Sequence, residues 1–314
     1  MRLFALTSLA FVAATAVAAD PPPTPLPAAG DELYDTAKQL FDQYAPPEVK
    51  AQYDFPAPEQ FSDFGARLQR ALDGGSLDDL AQYQSEAESV LTFLRSVPAD
   101  ADYADWLAAR LEEIDMAHRL SAPSAQHLPL PPATVPHSVS RLDVPYYNEW
   151  LARVRRRAPP ANAAQLMPRL RSAFAAEGVP SELAWLAEAE SSLNPSARSP
   201  AGACGLFQLK AATAHDLGLS TFLPDQRTDP DKSAHAAARQ LRALGVHFGS
   251  WQLAIAAYNA GEGRVGRAMA ARHATNYASV ASGLPAETRM YVPEVCALMT
   301  VRTGVSPDQL PAPR

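Results

Sequence analysis

The sequence has neither an excess of basic residues nor an apolar run long enough to cross a membrane. It contains 27 lysines and arginines against 34 acidic residues, a net charge of −7. A nucleic-acid binder needs a basic face to displace counterions from phosphate, so this class is disfavoured. An anionic polymer stays open as a partner, because a local patch can outweigh a mild global charge. The apolar run at the start, Leu3 to about Val12, is short for the ~20 residues of a spanning helix.

The first residues, MRLFALTSLAFVAATAVAAD, have the three parts of a secretory signal. Arg2 precedes the apolar run, and small residues lead to a cut near Ala18 or Ala19. The alternative is a membrane anchor, which the short run disfavours. No cysteine follows the run, so no lipid can be attached there. We expect a signal peptide at residues 1–19 and an exported, periplasmic, soluble protein that is not a lipoprotein, with no transmembrane segment in the mature chain.

Cysteine is scarce, and Cys204 and Cys296 are the only two. An oxidising compartment would allow them to form a disulfide bond. The alternative is two buried thiols, which pack as small hydrophobic groups. The sequence leaves both possibilities open.

The chain also lacks the alternation of apolar and polar residues that indicates a sheet, so the predicted fold class is mainly α. Proline-rich stretches at residues 20–30 and 121–141 are typical of extended linkers. They divide the mature chain into a small helical region at 31–120, of three or four helices and unknown role, and a second helical region at 142–314. Within the first, Ser76 followed three residues later by Asp79 indicates a helix start.

One glutamate in the second region, Glu190, has an unusual predicted environment. A helix beginning at Pro180 would place it roughly 20° from Leu183 and 40° from Leu186, on the apolar stripe. Burial disfavours the charged form, so the pKa of this carboxyl should be raised and the group protonated near neutrality, as a general acid requires. The alternative is that Glu190 merely ends the stripe where the helix surfaces.

Two nearby glutamates, Glu182 and Glu188, fall off this stripe and are expected to lie in water. After Glu190 the stretch NPSARSPAGACGLFQ breaks the helix at Asn194 and Pro195 and continues with small residues. Such a loop allows the backbone to pass close to a bound ligand.

The stretch ESSLNPSARSPAGACGLFQLKAATAHDLGL resembles the signature of the lytic transglycosylases that share the lysozyme-like fold. Three further stretches agree in order and spacing with that family, and with its membrane-bound D type most of all: DQRTDPDKSAHAAARQL, LAIAAYNAGEGRV and ETRMYVPEV. The resemblance covers about Val144 to Val301, half of the chain. It implies that residues 142–314 form a lysozyme-like α-helical catalytic domain.

The resemblance also implies roles for single residues. Glu190 occupies the position of the family's catalytic acid and base. The positions that match its saccharide-binding groups are Ser199, Gln208, Tyr258, Asn259 and Tyr291. Each has a plainer alternative: Ser199 could cap a turn, Tyr258 could belong to the core, and Tyr291 could be an ordinary aromatic on a helix face.

The implied activity is non-hydrolytic cleavage of the MurNAc-GlcNAc β-1,4 bond of peptidoglycan glycan strands, leaving 1,6-anhydromuramic acid ends. The substrate's N-acetyl group would assist, so no second carboxyl is needed, although Asp225, Asp229 and Glu262 are candidates by position. Asp229 before Pro230 is more simply a helix cap, and Glu262 lies in a turn that favours solvent. No cofactor is expected, and the seven histidines show no metal-ligand spacing.

Two alternatives to this activity stay open. One is a muramidase-type hydrolase of the same fold, in which water attacks. The other is a catalytically weak wall-binding scaffold whose N-terminal helices dock an envelope protein. The sequence also departs from the family after the glycine of GLFQ, at Phe207, Leu209, Lys210 and Ala211, which we expect to alter the wall of the saccharide cleft.

Overall fold

A computed structural model describes residues 58–95, 101–121, 143–199 and 201–314. These residues form helices and connecting loops, and extended pairing among them is limited to isolated bridges of Cys204 with Arg198 and Leu209. The mainly α class is thereby confirmed. The predicted signal peptide, the first linker and residues 122–141 of the second linker lie outside the described residues.

Four helices are described in the N-terminal region: α1 (Pro58–Asp73), α2 (Leu77–Ala81), α3 (Gln84–Leu94) and α4 (Ala101–Ser121). The helix start predicted at Ser76 is confirmed, because its hydroxyl accepts a hydrogen bond from the amide of Asp79 at 3.1 Å. The four helices bury a shared set of apolar side chains, among them Phe64, Leu80 and Ile114. This burial is what holds such short helices together.

The second region contains nine further helices among the described residues. They are α5 (Tyr147–Val154), α6 (Ala163–Ala176), α7 (Leu186–Ser191), α8 (Ala211–Asp216), α9 (Pro230–Phe248), α10 (Trp251–Ala260), α11 (Glu262–Arg272), α12 (Tyr277–Ala281) and α13 (Ala286–Thr303). Short 3-10 turns lie at Ser181–Trp185, Gln226–Thr228 and Pro307–Gln309. The cap predicted at Asp229 is confirmed, because its carboxylate accepts from the first amides of α9.

Helix α13 is the centre of the molecule. It is buried along most of its length, and α1, α4, α5, α7 and α10 all pack against it. A helix that is apolar on nearly all sides has to be enclosed in this way. Its first residue, Ala286, belongs to the core of the N-terminal helices, and Met290 packs with Met116 of α4 and Trp150 of α5.

Polar contacts reinforce the packing of the N-terminal helices on the second region. The amide of Ala286 donates to the carbonyl of Gly74 at 2.6 Å, and the Arg289 guanidinium donates to the carbonyl of Gly75 at 2.7 Å. The loop between α1 and α2 is therefore fixed on the first turn of α13. The N-terminal helices sit directly against the elements that carry the candidate site.

Cys204 and Cys296 are both buried and are not joined to each other, so the structure carries the second of the two alternatives. Cys296 lies on α13 within the main core, whereas Cys204 lies in the loop after α7 and bridges to Arg198 and Leu209. Burial raises the pKa of Cys296 to about 12, which keeps it a neutral thiol.

Candidate active site

The helix that carries Glu190 is short and sharply ended. The predicted helix is present, but its first five residues form the 3-10 turn Ser181–Trp185 before α7 begins. Ser192 and Leu193 then both adopt left-handed backbone angles, with φ of 51° and 61°. The hydroxyl of Ser191 donates to the carbonyl of Leu206 at 2.9 Å. The end of α7 is thereby tied to the small-residue loop that follows it.

The carboxyl of Glu190 has a perturbed protonation equilibrium. Burial raises its pKa to about 7, although a hydrogen bond from Tyr291 and the positive charge of Arg110 both act to lower it. The phenol of Tyr291 donates to Oε1 of Glu190 at 2.5 Å. The raised pKa predicted from the apolar stripe is confirmed, with Leu183 and Leu186 buried beside it. The group is poised to give and take a proton near neutral pH.

The prediction that Glu188 lies in water is wrong. Its side chain is buried and accepts two hydrogen bonds from Arg302 at 2.8 and 2.9 Å, with Arg157 at 3.3 Å. The prediction assumed one exposed face, but α7 is enclosed by α13 and α4. Charged side chains so deeply buried are stable only when paired. Glu182 is partly exposed and lies 3.4 Å from Arg171.

The loop after α7 is held from beneath by a buried arginine. The Arg227 guanidinium donates to the carbonyls of Gly202 and Leu209 at 3.0 and 3.1 Å, while Asp225 binds its other edge at 2.8 Å. Gly205 has φ +80°, and a Cβ there would lie 1.9 Å from the carbonyl oxygen of Arg227. Only glycine fits this crossing of two backbone segments.

Two of the predicted saccharide-binding residues lie in this loop. The Ser199 hydroxyl accepts from the amide of Ala203 at 3.1 Å, so it does cap a turn. The Gln208 side chain donates to the carbonyls of Ala197 and Gly205 at 3.3 and 2.9 Å, and both residues are partly exposed. Neither side chain forms a hydrogen bond with Glu190, and both bind groups of the loop itself.

The other three predicted residues lie on α10 and α13, and two of them, Tyr258 and Tyr291, lie close to Glu190. Tyr291 contacts it directly. Tyr258 lies close enough for the charge of Glu190 to raise the pKa of its phenol, an effect second to burial, and it donates to the carbonyl of Phe207 at 2.8 Å. Asn259 donates to the Glu287 carboxyl at 3.0 Å and accepts from the Thr288 hydroxyl at 2.6 Å.

The site contains two residues that the sequence analysis did not single out, Glu287 and Arg110. Nη2 of Arg110, on α4, lies 3.1 Å from Oε1 of Glu287, at the start of α13. Glu287 is the first letter of the ETRMYVPEV stretch and could have been found there. Arg110 belongs to no motif and lies in another region of the sequence, so no sequence pattern predicts its place in the site.

The three side chains named as candidates for a second catalytic carboxyl pair with other residues, cap a helix or are exposed. Asp225 pairs with Arg227 and Asp229 caps α9. Glu262 is exposed, 3.6 Å from His247. Within the described residues, no group of histidine, cysteine and acidic side chains has the arrangement of a metal site, and no helix has the length and apolar character to cross a bilayer.

Phe207 and Leu209, two of the positions at which the sequence departs from the family, lie in the core, and their effect on the cleft wall stays a prediction. Phe207 is fully buried and stacks on Phe174 with ring centroids 5.6 Å apart, and Leu209 is 2% exposed. Both side chains point into the core because Arg227 and Tyr258 fix the loop backbone above it. Lys210 and Ala211 are exposed.

The helical fold carries a partly buried acid at the end of a short helix, with a glycine-containing loop beside it, and is consistent with a lysozyme-like domain. Residues 171–280 match the family model of the transglycosylase SLT domain. This part of the chain is therefore similar to the SLT domain of the lytic transglycosylases.

Curated relatives agree with this assignment. The chain is 39% identical over 129 residues to the membrane-bound lytic murein transglycosylase D of Escherichia coli, covering 39% of this chain and 28% of that protein. It is 36% identical over 121 residues to the soluble lytic murein transglycosylase of Salmonella typhimurium, covering 36% and 19%. It is 43% identical over 88 residues to the peptidoglycan transglycosylase gp16 of Escherichia phage T7, covering 27% and 6%. The chain thus spans less than a third of the length of these relatives.

Proposed function

We propose that this protein is a peptidoglycan lytic transglycosylase in which Glu190 acts first as acid and then as base. The observation that carries the proposal is the Glu190 carboxyl, with a pKa raised by burial to about 7 and oriented by the Tyr291 phenol. The SLT domain match supports the substrate class, MurNAc-GlcNAc strands.

The arrangement suits two proton transfers. Tyr291 binds Oε1, which leaves Oε2 to carry the proton toward the bridging oxygen of the glycan. After the bond breaks, Glu190 is a carboxylate and takes the proton of the sugar's 6-hydroxyl as that oxygen attacks the anomeric carbon. A pKa near the working pH serves both directions of transfer. The sugar's N-acetyl group stabilises the oxocarbenium-like centre in between.

Glu287 is the observation that favours the alternative hydrolase reading, since glycosidases commonly use two carboxyls. It is close enough to raise the pKa of Glu190, although burial has the largest effect on that carboxyl. Its Oε1 is already bound by Asn259 and Arg110. These bonds favour a role for Glu287 in holding the site over a role as nucleophile or base.

The test is mass spectrometry of purified sacculi digested by the whole protein, with Glu190→Gln beside it. We expect anhydromuramic ends from the wild type and at least a hundredfold slower release from the variant, because the amide cannot supply the proton. Glu262→Gln is the matched control, since Glu262 is exposed and pairs only with His247 at 3.6 Å, and it should cleave at the wild-type rate.

The products distinguish a transglycosylase from a hydrolase and from a wall-binding scaffold. Reducing muramic acid ends, one water heavier, would replace the transglycosylase by a hydrolase. A wild type that binds sacculi without cleaving them, or a Glu190→Gln variant as active as the wild type, would support the wall-binding scaffold instead.

Reaching peptidoglycan requires export, and we propose that residues 1–19 direct it as a cleaved signal peptide into the periplasm. The short apolar run behind Arg2 and the small residues before the predicted cut support this.

A further inference from the structure

The N-terminal helices contribute an arginine to the candidate active site. Arg110 lies in the middle of α4, and its side chain is 15% exposed. Nη1 contacts Glu113 one turn later on the same helix, and Nη2 lies 3.1 Å from Oε1 of Glu287 on α13. The guanidinium therefore joins the N-terminal region to α13 of the second region, close to Glu190.

Glu287 connects this arginine to the residues that surround Glu190. The same Oε1 also accepts the Asn259 side-chain amide at 3.0 Å, next to Tyr258 on α10. Tyr291 lies four residues after Glu287 on α13, so both side chains are on one face of the helix. Arg110 therefore contacts the same face of α13 from which the Tyr291 phenol donates to Glu190.

We propose that Arg110 is a positioning residue of the active site, whose guanidinium holds Glu287 against Asn259 and places a permanent positive charge beside Glu190. This inference rests on the proposed function of Glu190 as acid and base, and it gives the N-terminal helices a part in the reaction.

The charge of Arg110 matters when Glu190 loses its proton. Burial makes the ionised carboxyl costly, and the cation offsets part of that cost by lowering the pKa of Glu190. Several other titratable groups also face Glu190. They are Tyr291, Glu287 and Glu294 on α13 and Tyr258 on α10.

Glu113 is the other carboxyl that contacts Arg110. Its side chain is 3% exposed, and its Oε2 has no hydrogen-bond partner. Burial raises the pKa of Glu113 to about 8 in spite of the contact with Arg110. The raised pKa favours the neutral form of Glu113, so Glu113 offsets less of the Arg110 charge than a carboxyl of ordinary pKa would.

The experiment compares Arg110→Met and Arg110→Lys in the full chain. We expect kcat on sacculi to fall about tenfold in Arg110→Met with KM nearly unchanged, because the reacting carboxyl and not the glycan loses its support. The pKa of Glu190, read from the NMR titration of its side-chain carboxyl, should rise by about one unit. Arg110→Lys keeps the charge and should restore most of the pKa but only part of kcat, because lysine lacks the planar fork.

Arg153→Met is the matched control. Arg153 also joins the second region to α4, through Glu112 at 3.4 Å and a shorter contact with Asp115, but neither carboxyl faces Glu190. This variant should keep the wild-type kcat and the wild-type pKa of Glu190. An equal loss in both variants would reduce Arg110 to a structural contact between the two regions.

Other outcomes are decisive as well. A folded Arg110→Met protein with wild-type kcat and wild-type Glu190 titration would overturn the proposal. If Arg110→Met does not fold, the same two measurements on Arg110→Met with Glu113→Gln, which removes the buried acid, decide in its place. A wild type without anhydro products would refute the proposed function alone, because the Glu190 titration still tests the charge of Arg110.

Discussion

Tyr291 determines the orientation of the Glu190 carboxyl. Burial raises the pKa of the phenol well above its usual range, so Tyr291 remains a hydrogen-bond donor at any pH the protein meets. Its bond to Oε1 stabilises the ionised carboxylate and partly opposes the effect of burial. One hydroxyl thus both aims the acid and keeps its pKa from rising further.

Replacing Tyr291 by phenylalanine tests whether this hydrogen bond orients the Glu190 carboxyl and limits its pKa. We expect the pKa of Glu190 to rise by about one unit and the upper limb of the pH-rate profile to move with it, since the lost bond favoured the charged form. The rate below that limb should fall about ten- to a hundredfold, because the carboxyl is no longer held in one orientation. The rate of sacculus cleavage between pH 5 and 9 provides the measurement.

Tyr277→Phe is the control for this substitution. Tyr277 is buried, and its phenol donates to the carbonyl of Thr288 at 3.5 Å without touching Glu190. It should leave the profile in place. If Tyr291→Phe also leaves the profile and the rate unchanged, the hydrogen bond has no part in catalysis.

At the scale of elements, the loop from Ser192 to Lys210 takes its shape from contacts to later segments. Arg227 binds its carbonyls, and Tyr258 and Ser191 hold its centre through Phe207 and Leu206. The loop therefore has little freedom, although it contains small residues that would be flexible in isolation.

Gly205→Ala should show how tightly the loop is held. The left-handed backbone and the carbonyl of Arg227 1.9 Å from the new Cβ leave no room, so we expect a loss on the order of 3 kcal/mol in the free energy of unfolding. Cleavage should fall with it, because the loop adjoins Glu190. Urea unfolding followed by circular dichroism gives the stability.

Gly266→Ala is the matched comparison. Gly266 lies within α11, and a Cβ there meets nothing within 4 Å. Alanine should leave the protein as stable as before or more stable by up to about 1 kcal/mol. Equal effects of the two substitutions would mean that the crossing at Gly205 imposes no constraint.

The sequence predicted features that depend on neighbours in the chain and missed those that depend on distant partners. The caps at Ser76 and Asp229 follow from spacings of two or three residues. The helical pattern predicts Glu188 in water because its ion-pair partner, Arg302, is 114 positions away in the sequence. Glu190 is predictable because its apolar neighbours are close in the sequence and its motif resembles that of a family. Arg110 has neither of these features.

At the scale of the whole molecule, α13 joins the N-terminal helices to the second region. Its first turn packs in the core of the N-terminal helices, its middle carries Tyr291 and Glu294, and its last turn carries Arg302. One helix thus contributes side chains to the core of the N-terminal helices and to the candidate site. A docked envelope partner on these helices stays a prediction, and its surface would have to be a face that α13 leaves uncovered.

The same enclosure buries Glu113 and Glu294 and partly buries Glu190, and this makes stability depend on pH. Burial raises the pKa of Glu113 to about 8 and that of Glu190 and Glu294 to about 7. In the unfolded chain these carboxyls titrate near pH 4.5. The folded state therefore binds more protons than the unfolded state between about pH 4.5 and 8, and its stability falls as pH rises through that window.

We expect the free energy of unfolding in urea to decrease from pH 5 to pH 8.5, by on the order of 2 kcal/mol for each of these carboxyls. Glu190→Gln removes one of the three titrations and should flatten the decrease, whereas Glu262→Gln, at an exposed position, should leave it unchanged. The carboxyls whose pKa is lowered by arginine neighbours, Asp225 and Asp231, lose their contribution only at more acidic pH. A stability that is flat or rises over this interval would mean that the buried acids are ionised at little cost, and the acid role of Glu190 would lose its physical basis.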